Sequence, residues 1–264
     1  MLSTFNNDTL QNGGVCQRKK LERKCSFIRP NFHKPPEFIS IPDGDELISF
    51  VNLSNQSPKL WFKHVMNTII NVLLACLGAY LIGSIPFGYL IAKAQGINIR
   101  ELGSGNIGAT NITRSLGWKS GVLVGVLDFV KSFLPVVFAK SLFDQNALVL
   151  LVSIMPVLGH IFPVWLKFKG GKGVATIFGI MGAFFGLPYF LAFLVMWILA
   201  IIVIKLMSAV NLGVALLLPL AFWAKYQAAW FIVFGVILCM IIWITHRTNI
   251  VRLLKGEENK IVFR

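Results

Sequence analysis

The chain has 264 residues, 56% of them hydrophobic and only 14% charged, with a mean hydropathy of +0.72. That balance excludes an ordinary water-soluble domain and points to an integral membrane protein. The net charge of +14 would suit nucleic acid in a soluble protein, but here the basic residues fall in short segments between apolar runs. This placement reads as topology signals and anion-binding groups, with no nucleic-acid partner.

In chain order, residues 1–65 differ from everything after them. They carry nine Lys/Arg and six Asp/Glu and no apolar run of span length, which predicts a disordered or weakly structured extension. No signal-peptide pattern is present in that stretch. Met66 directly precedes the first apolar run, so the expected organisation is an extension over 1–65 and a membrane domain over 66–264, with Met66 as a candidate biological start.

A spanning helix needs roughly 20 mostly apolar residues. Seven candidates follow, at 66–92, 120–140, 147–165, 174–187, 188–204, 208–224 and 228–245, and they predict an all-α membrane protein with seven transmembrane helices. The fourth is short and glycine-rich, and its boundary at Leu187-Pro188 rests on the disfavour of proline for a helical residue before it. If the spans alternate, thirteen basic residues between Lys93 and Arg264 share one side, against Lys140 and Lys225 on the other. By the positive-inside rule the rich side is cytoplasmic. The long basic extension would then lie outside, a conflict that also favours Met66.

That topology brings three polar segments to one face. The first, GSGNIGATNITR, has glycines at Gly103, Gly105 and Gly108 that allow positive φ and let backbone N–H groups line a concavity. Ser104, Asn106, Thr110 and Asn111 add neutral donors, with Thr110 or Asn111 as a cap for a following helical turn. Arg114 supplies a fork suited to phosphate or carboxylate. By itself such a run is more often a flexible loop.

The second segment is GHIFPVWLKFKGGKGVAT, 159–176, in which Lys169 and Lys172 bracket Gly170 and Gly171. Two ammonium groups and the intervening amides can approach one phosphate together. The Walker pattern is absent, so no nucleotide is implied. His160 alone reads as a satisfied helix-end residue. The third segment, HRTNIVRLLKGEENK, places His246 and Asn249 on one face of a continuing helix. Arg252, Lys255, Glu257 and Glu258 read there as a solvated tail. Within the second span, Asp128 and Lys131 are three residues apart and predict a buried ion pair that supports the site. Of the four cysteines, Cys16 and Cys25 lie in the extension and Cys76 and Cys239 in apolar runs, with no metal-ligand spacing, so neither disulfides nor a metal are expected. These features fit an enzyme, or a membrane transporter for an organic phosphate, although no internal repeat supports transport.

Over residues 66–264 the chain resembles the bacterial acyl-phosphate:glycerol-3-phosphate acyltransferases, the PlsY family. The resemblance rests on SGNIGATNITRSLG (104–117), DFVK (128–131), GHIFPVWLKFKGGKGVAT (159–176) and HRTNIVRLLKGEE (246–258), in family order. Ser132 stands where the family commonly has glycine after the DxxK pair. The resemblance implies a seven-span enzyme of the bacterial cell membrane. It would transfer a fatty acyl group from acyl phosphate to the sn-1 hydroxyl of glycerol 3-phosphate, releasing lysophosphatidic acid and phosphate. It further implies that Ser104, the neighbouring glycines, Lys172, His246 and Asn249 handle the donor phosphate, and that Thr110, Asn111 and Arg114 orient glycerol 3-phosphate. No cofactor, metal or acyl thioester is implied. None of the four histidines has Asp five positions on, so the H-x4-D base of other glycerophosphate acyltransferases is missing, and there is no GxSxG elbow. An acyl phosphate already carries a stable leaving group, so positioning and charge stabilisation are the larger needs.

Overall fold

The structure is a computed structural model that describes Ser26–Phe27, Ile39–Ser40 and residues 58–261. The chain divides into two units, Met1–Thr68 and Ile69–Arg264. In the first, β1 (Ser26–Phe27) pairs antiparallel with β2 (Ile39–Ser40), Ser26 opposite Ser40. The rest of the expected extension lies outside the described residues, except that 58–65 open the first long helix.

Every other described element is helical. They are α1 (Pro58–Gly83), α2 (Phe87–Ala94), α3 (Ala109–Leu116), α4 (Trp118–Leu142), α5 (Asn146–Ile161) and α6 (Val174–Phe185). Then follow α7 (Leu187–Ile204), α8 (Met207–Ala215), α9 (Leu218–Tyr226), α10 (Ala229–Thr245) and α11 (Arg247–Leu254). The protein is therefore a helical, multi-pass membrane protein, as its composition requires. All seven predicted apolar segments are helical. Among the described residues five stretches are long and apolar enough to cross a membrane, and α10 with α11 makes a sixth bent by 63°. The seventh, α6, has 12 residues. It is therefore about 18 Å long, well short of the roughly 30 Å hydrocarbon layer.

Two irregularities are stabilised by lysines that the bilayer would otherwise exclude. The first predicted span breaks at Ser84–Pro86, because the residue before proline is pushed out of the helical region. The carbonyl freed at Ile85 accepts from Lys131 Nζ at 2.8 Å, and Lys131 also pairs with Asp128 Oδ1 at 2.8 Å. At the far end of α6, Lys140 donates to Ala183 O at 3.0 Å, while Lys225 donates to Phe184 O and Phe185 O at 2.8 and 2.9 Å. Tyr226 Oη adds a bond to Phe184 O at 2.7 Å. Those carbonyls are the orphans of a helix terminus, costly in an apolar layer unless satisfied. The boundary predicted at Leu187-Pro188 falls one residue earlier, at Gly186, whose φ of +78° ends α6 and turns the chain into α7.

The main core packs α5, α6, α9 and α10 through Val152, Val157, Ile180, Phe184, Phe222, Phe234 and Leu238. A smaller cluster of Ala92, Ile99, Ile107, Ile112 and Val124 seats the first polar segment against α4. Many large apolar side chains face outward instead, such as Leu73, Leu74, Phe138 and Val203. In lipid that outward face is solvated by acyl tails.

Candidate active site

The three polar segments meet around one cavity of about 750 Å³. Its polar end carries Ser104, Asn106, Thr110, Arg114, Lys172, His246 and Asn249, all expected from the sequence. Gly103, Gly105, Lys169, Gly170 and Gly171 do not line it; they shape the segments behind it.

The first segment is wound on Asn111. Its carboxamide accepts from Ser104 N–H at 3.0 Å and donates to Leu102 O at 3.0 Å and Asn106 O at 2.9 Å. Asn106 Oδ1 in turn accepts from Gly108 N–H at 2.8 Å. Gly103 adopts φ +58°, and a Cβ there would stand 2.3 Å from Asn111 Oδ1, so the position needs glycine for conformation and for space. Thr110 and Asn111 do not cap the helix as expected. α3 begins at Ala109 with Gly108 as its N-cap, so both lie inside the first turn and Asn111 reaches back into the loop. The carboxamide is thereby committed to holding the loop, while Thr110 and Arg114 remain at the cavity wall. Arg114 Nη2 also donates to Asn259 O at 3.3 Å, tying the segment to the chain's end.

The second segment folds differently from its simplest reading. Gly170 N–H donates to Ile161 O at 2.9 Å and Gly171 N–H to His160 O at 3.0 Å, so neither amide is left for a phosphate. The glycines are needed for close packing: a Cβ on Gly171 would sit 2.0 Å from His160 Nε2. His160, buried beneath, lies 3.6 Å through Nδ1 from Asp128 Oδ1. The Asp128 pair expected from its spacing is thus present and acquires a third member. Lys169 is exposed, and its carbonyl accepts from Arg100 Nη2 at 2.6 Å. Of the two lysines only Lys172 enters the cavity wall.

The third segment is not a continuing helix. The chain bends by 63° between α10 and α11, with His246 at the corner. His246 Nδ1 lies 2.8 Å from Ile242 O, and since a carbonyl only accepts, Nδ1 carries the proton and Nε2 of the neutral ring is an acceptor. Thr245 Oγ1 donates to Lys172 O at 3.0 Å, joining the second and third segments.

Asn249 is the centre of a network that sequence reading left as a solvated tail. Its Oδ1 accepts from Lys172 Nζ, and its Nδ2 donates to Ser208 Oγ at 3.0 Å and Glu258 Oε1 at 2.9 Å. Ser208 Oγ donates to the same carboxylate oxygen at 2.5 Å, and Arg252 Nε lies 3.2 Å from Glu258 Oε2. The Glu258 side chain is only 6% exposed. Burial alone would raise its pKa, but the Ser208 and Asn249 hydrogen bonds and the charges of Arg252 and Lys172 hold it below the ordinary glutamate value. Burial pulls Lys172 down to about 8; Glu258 opposes this, while Arg252 and Arg114 add to it. Ser208 and Glu258 carry no local spacing that marks them, whereas Arg252 stands three residues after Asn249 but reads as part of a solvated tail. The one available signal for Glu258 was its place in a segment already rich in site candidates.

Below this polar end the cavity continues as an apolar arm between α4, α6 and α7, walled by Gly125, Val126, Phe129, Phe178, Phe190 and Trp197. The arrangement can hold a molecule with an anionic head and a long apolar tail.

Residues 73–256 match the glycerol-3-phosphate acyltransferase family. A glycerol-3-phosphate acyltransferase of Desulforamulus reducens is 42% identical over 193 residues, 73% of this chain and 96% of the relative. One from Ehrlichia canis is 38% identical over 197 residues, covering 74% of this chain and 100% of the relative. Two crystal structures of PlsY (YgiH), an integral membrane glycerol 3-phosphate acyltransferase, are also similar. The glycerol 3-phosphate form has a TM-score of 0.69 at 37% identity, and the lysophosphatidic acid form 0.67 at 36%; each similarity covers 73% of this chain and 96% of the other.

Proposed function

Since this chain belongs to the glycerol-3-phosphate acyltransferase family and is a membrane enzyme of phospholipid synthesis, we propose that its acyl donor is an acyl phosphate and its acceptor the sn-1 hydroxyl of glycerol 3-phosphate. The observation that carries this reading is the meeting of Ser104, Arg114, Lys172, His246 and Asn249 in one cavity with an apolar arm. Two phosphates and one acyl chain are the ligands that use all of it. The proposal assigns the activity to residues 66–264, and the extension has no part in it.

In the proposed reaction Lys172, with Ser104 and the amino end of α3, binds the donor phosphate. Helix amino termini and ammonium groups both favour that charge. Arg114 and Thr110, on the same helix, orient glycerol 3-phosphate beside the donor, and Asn111 acts on both by holding the loop. The sn-1 oxygen attacks the acyl carbonyl carbon, the new C–O ester bond forms, and the C–O bond to phosphate breaks. Inorganic phosphate leaves with the electron pair, and the hydroxyl proton passes to a substrate phosphate oxygen. Asn249 positions the charged Lys172 through its Oδ1, and His246 stands at the same wall with Nε2 free to accept from a substrate hydroxyl. This is a single displacement, with no acyl-enzyme and no thioester.

The proposal also places the motif face in the cytoplasm of a bacterial cell, at its inner membrane. The positive-inside bias of thirteen basic residues against two supports it.

The test is phosphate release by the purified full chain in detergent micelles. Release that requires both acyl phosphate and glycerol 3-phosphate is the expected outcome. Turnover with acyl thioesters alone, or trapping of a labelled acyl-enzyme without acceptor, would overturn it.

A further inference from the structure

The apolar arm has a floor, and its depth is set by the shortness of α6. That helix ends after 12 residues, at Gly186, and the chain reverses into α7 about 18 Å from the start of α6. Phe190, less than one turn into α7, is therefore held in the interior of the layer rather than at its far surface. Phe129 lies eleven residues into α4 from Trp118, about 16 Å along the helix. The two depths agree, and the rings meet with centroids 5.0 Å apart.

The floor is braced from several sides. Phe133 stacks beneath Phe129 at 5.5 Å, and Phe178 meets Phe190 edge-on at 6.3 Å. Gly182 of α6 leaves room for the Phe129 ring: a Cβ there would stand 2.8 Å from Phe129 Cζ. Such contacts between aromatic rings resist displacement by an apolar chain. Above the floor the wall is thin on one side. Gly125 has no side chain, and a Cβ there would meet only Ala109 Cβ at 3.7 Å. Val122, Val126 and Ile198 both line the cavity and face outward, at 57%, 52% and 42% exposure, so the arm borders the lipid.

We propose that the Phe129–Phe190 pair is the chain-length stop of this enzyme, and that Gly125 is the wall position that admits the chain above it. A fatty chain whose reacting carbonyl sits among the polar residues fills the arm until its terminal methyl reaches the two rings. Longer chains must bend out between α4 and α7 into lipid. The inference rests on the acyl-transfer reading but is independent of which activated donor is used.

The experiment compares the full-length protein with Phe190→Ala and Gly125→Leu, each checked by detergent melting. A graded series of saturated acyl chains is offered as acyl phosphates, as acyl thioesters, and as lysophosphatidic acids in a binding titration. Because a single methylene in an apolar pocket changes discrimination by roughly tenfold or more, Phe190→Ala should raise the long-to-short ratio about tenfold. Gly125→Leu should lower it by a similar factor. Each profile is normalised to that variant's best chain. Unchanged profiles in both variants would overturn the proposed stop. Turnover with thioesters alone would defeat the phosphate-donor reading while leaving the chain-length comparison intact, since the titration and the thioester series still report it.

Discussion

Lys172 is the residue whose chemistry depends most on its neighbours. It must be charged to hold a phosphate, yet burial brings its pKa to about 8. The charged form predominates below that value, so kcat/KM for the donor, read at saturating acceptor, should fall as pH rises through about 8. Lys172→Arg, which keeps its charge at every accessible pH, should flatten that fall, and Lys172→Met should lose about 10²–10³ in rate, the usual loss for one charge-stabilising donor. Glu258 raises the Lys172 pKa, so Glu258→Gln should move the alkaline limb to lower pH. A pH–rate profile of the four proteins decides both; a limb that stays in place in Lys172→Arg counts against the role given to Lys172. Of these residues Lys172 was legible from its glycine-flanked segment, whereas Glu258 was not. A carboxylate near a chain end is ordinarily solvated, and only the fold turns it back onto Asn249 and Ser208.

Among the elements, α4 and α5 carry the least replaceable contact. Asp128 pairs with Lys131 and lies beside His160, and all three side chains are buried. Asp128→Ala would strand the Lys131 ammonium, and loss of one partner of a buried pair costs about 3–5 kcal/mol. The expected result is a large drop in melting temperature in detergent; the double variant Asp128→Ala/Lys131→Met should recover part of it. A single variant as stable as the parent would contradict this account. The i,i+3 spacing of Asp128 and Lys131 was readable as a pair on one helix face. That Lys131 also satisfies Ile85 O, and that His160 beneath Gly171 joins the pair, depends on contacts 46 and 11 residues away in sequence and has no local signature. The helix ends likewise depend on the fold. The run 66–92 reads as one span but breaks before Pro86, and the 12-residue length of α6 is sustained by Lys140, Lys225 and Tyr226 reaching its last carbonyls.

For the molecule as a whole, the charge asymmetry makes a topological prediction. A single cysteine in place of Lys169, in an otherwise cysteine-free chain, should be protected from an impermeant thiol reagent in intact cells and react after permeabilisation. One in place of Gln227 should react from outside. Labelling with the opposite pattern would invert the orientation. What the linear order of residues settled was the membrane class, the seven apolar segments, and the three polar segments that face one side. These follow from composition, run length and charge placement, each a local property that the bilayer reads directly. What the tertiary structure alone decided was the use of each group. It committed the Gly170 and Gly171 amides and the Asn111 carboxamide to the loops, brought Glu258 to Lys172, and set Phe129 against Phe190 on the apolar arm. A hydrogen-bonding group can serve a ligand only if the fold has not already used it. Which groups remain is fixed by contacts between segments far apart in the chain.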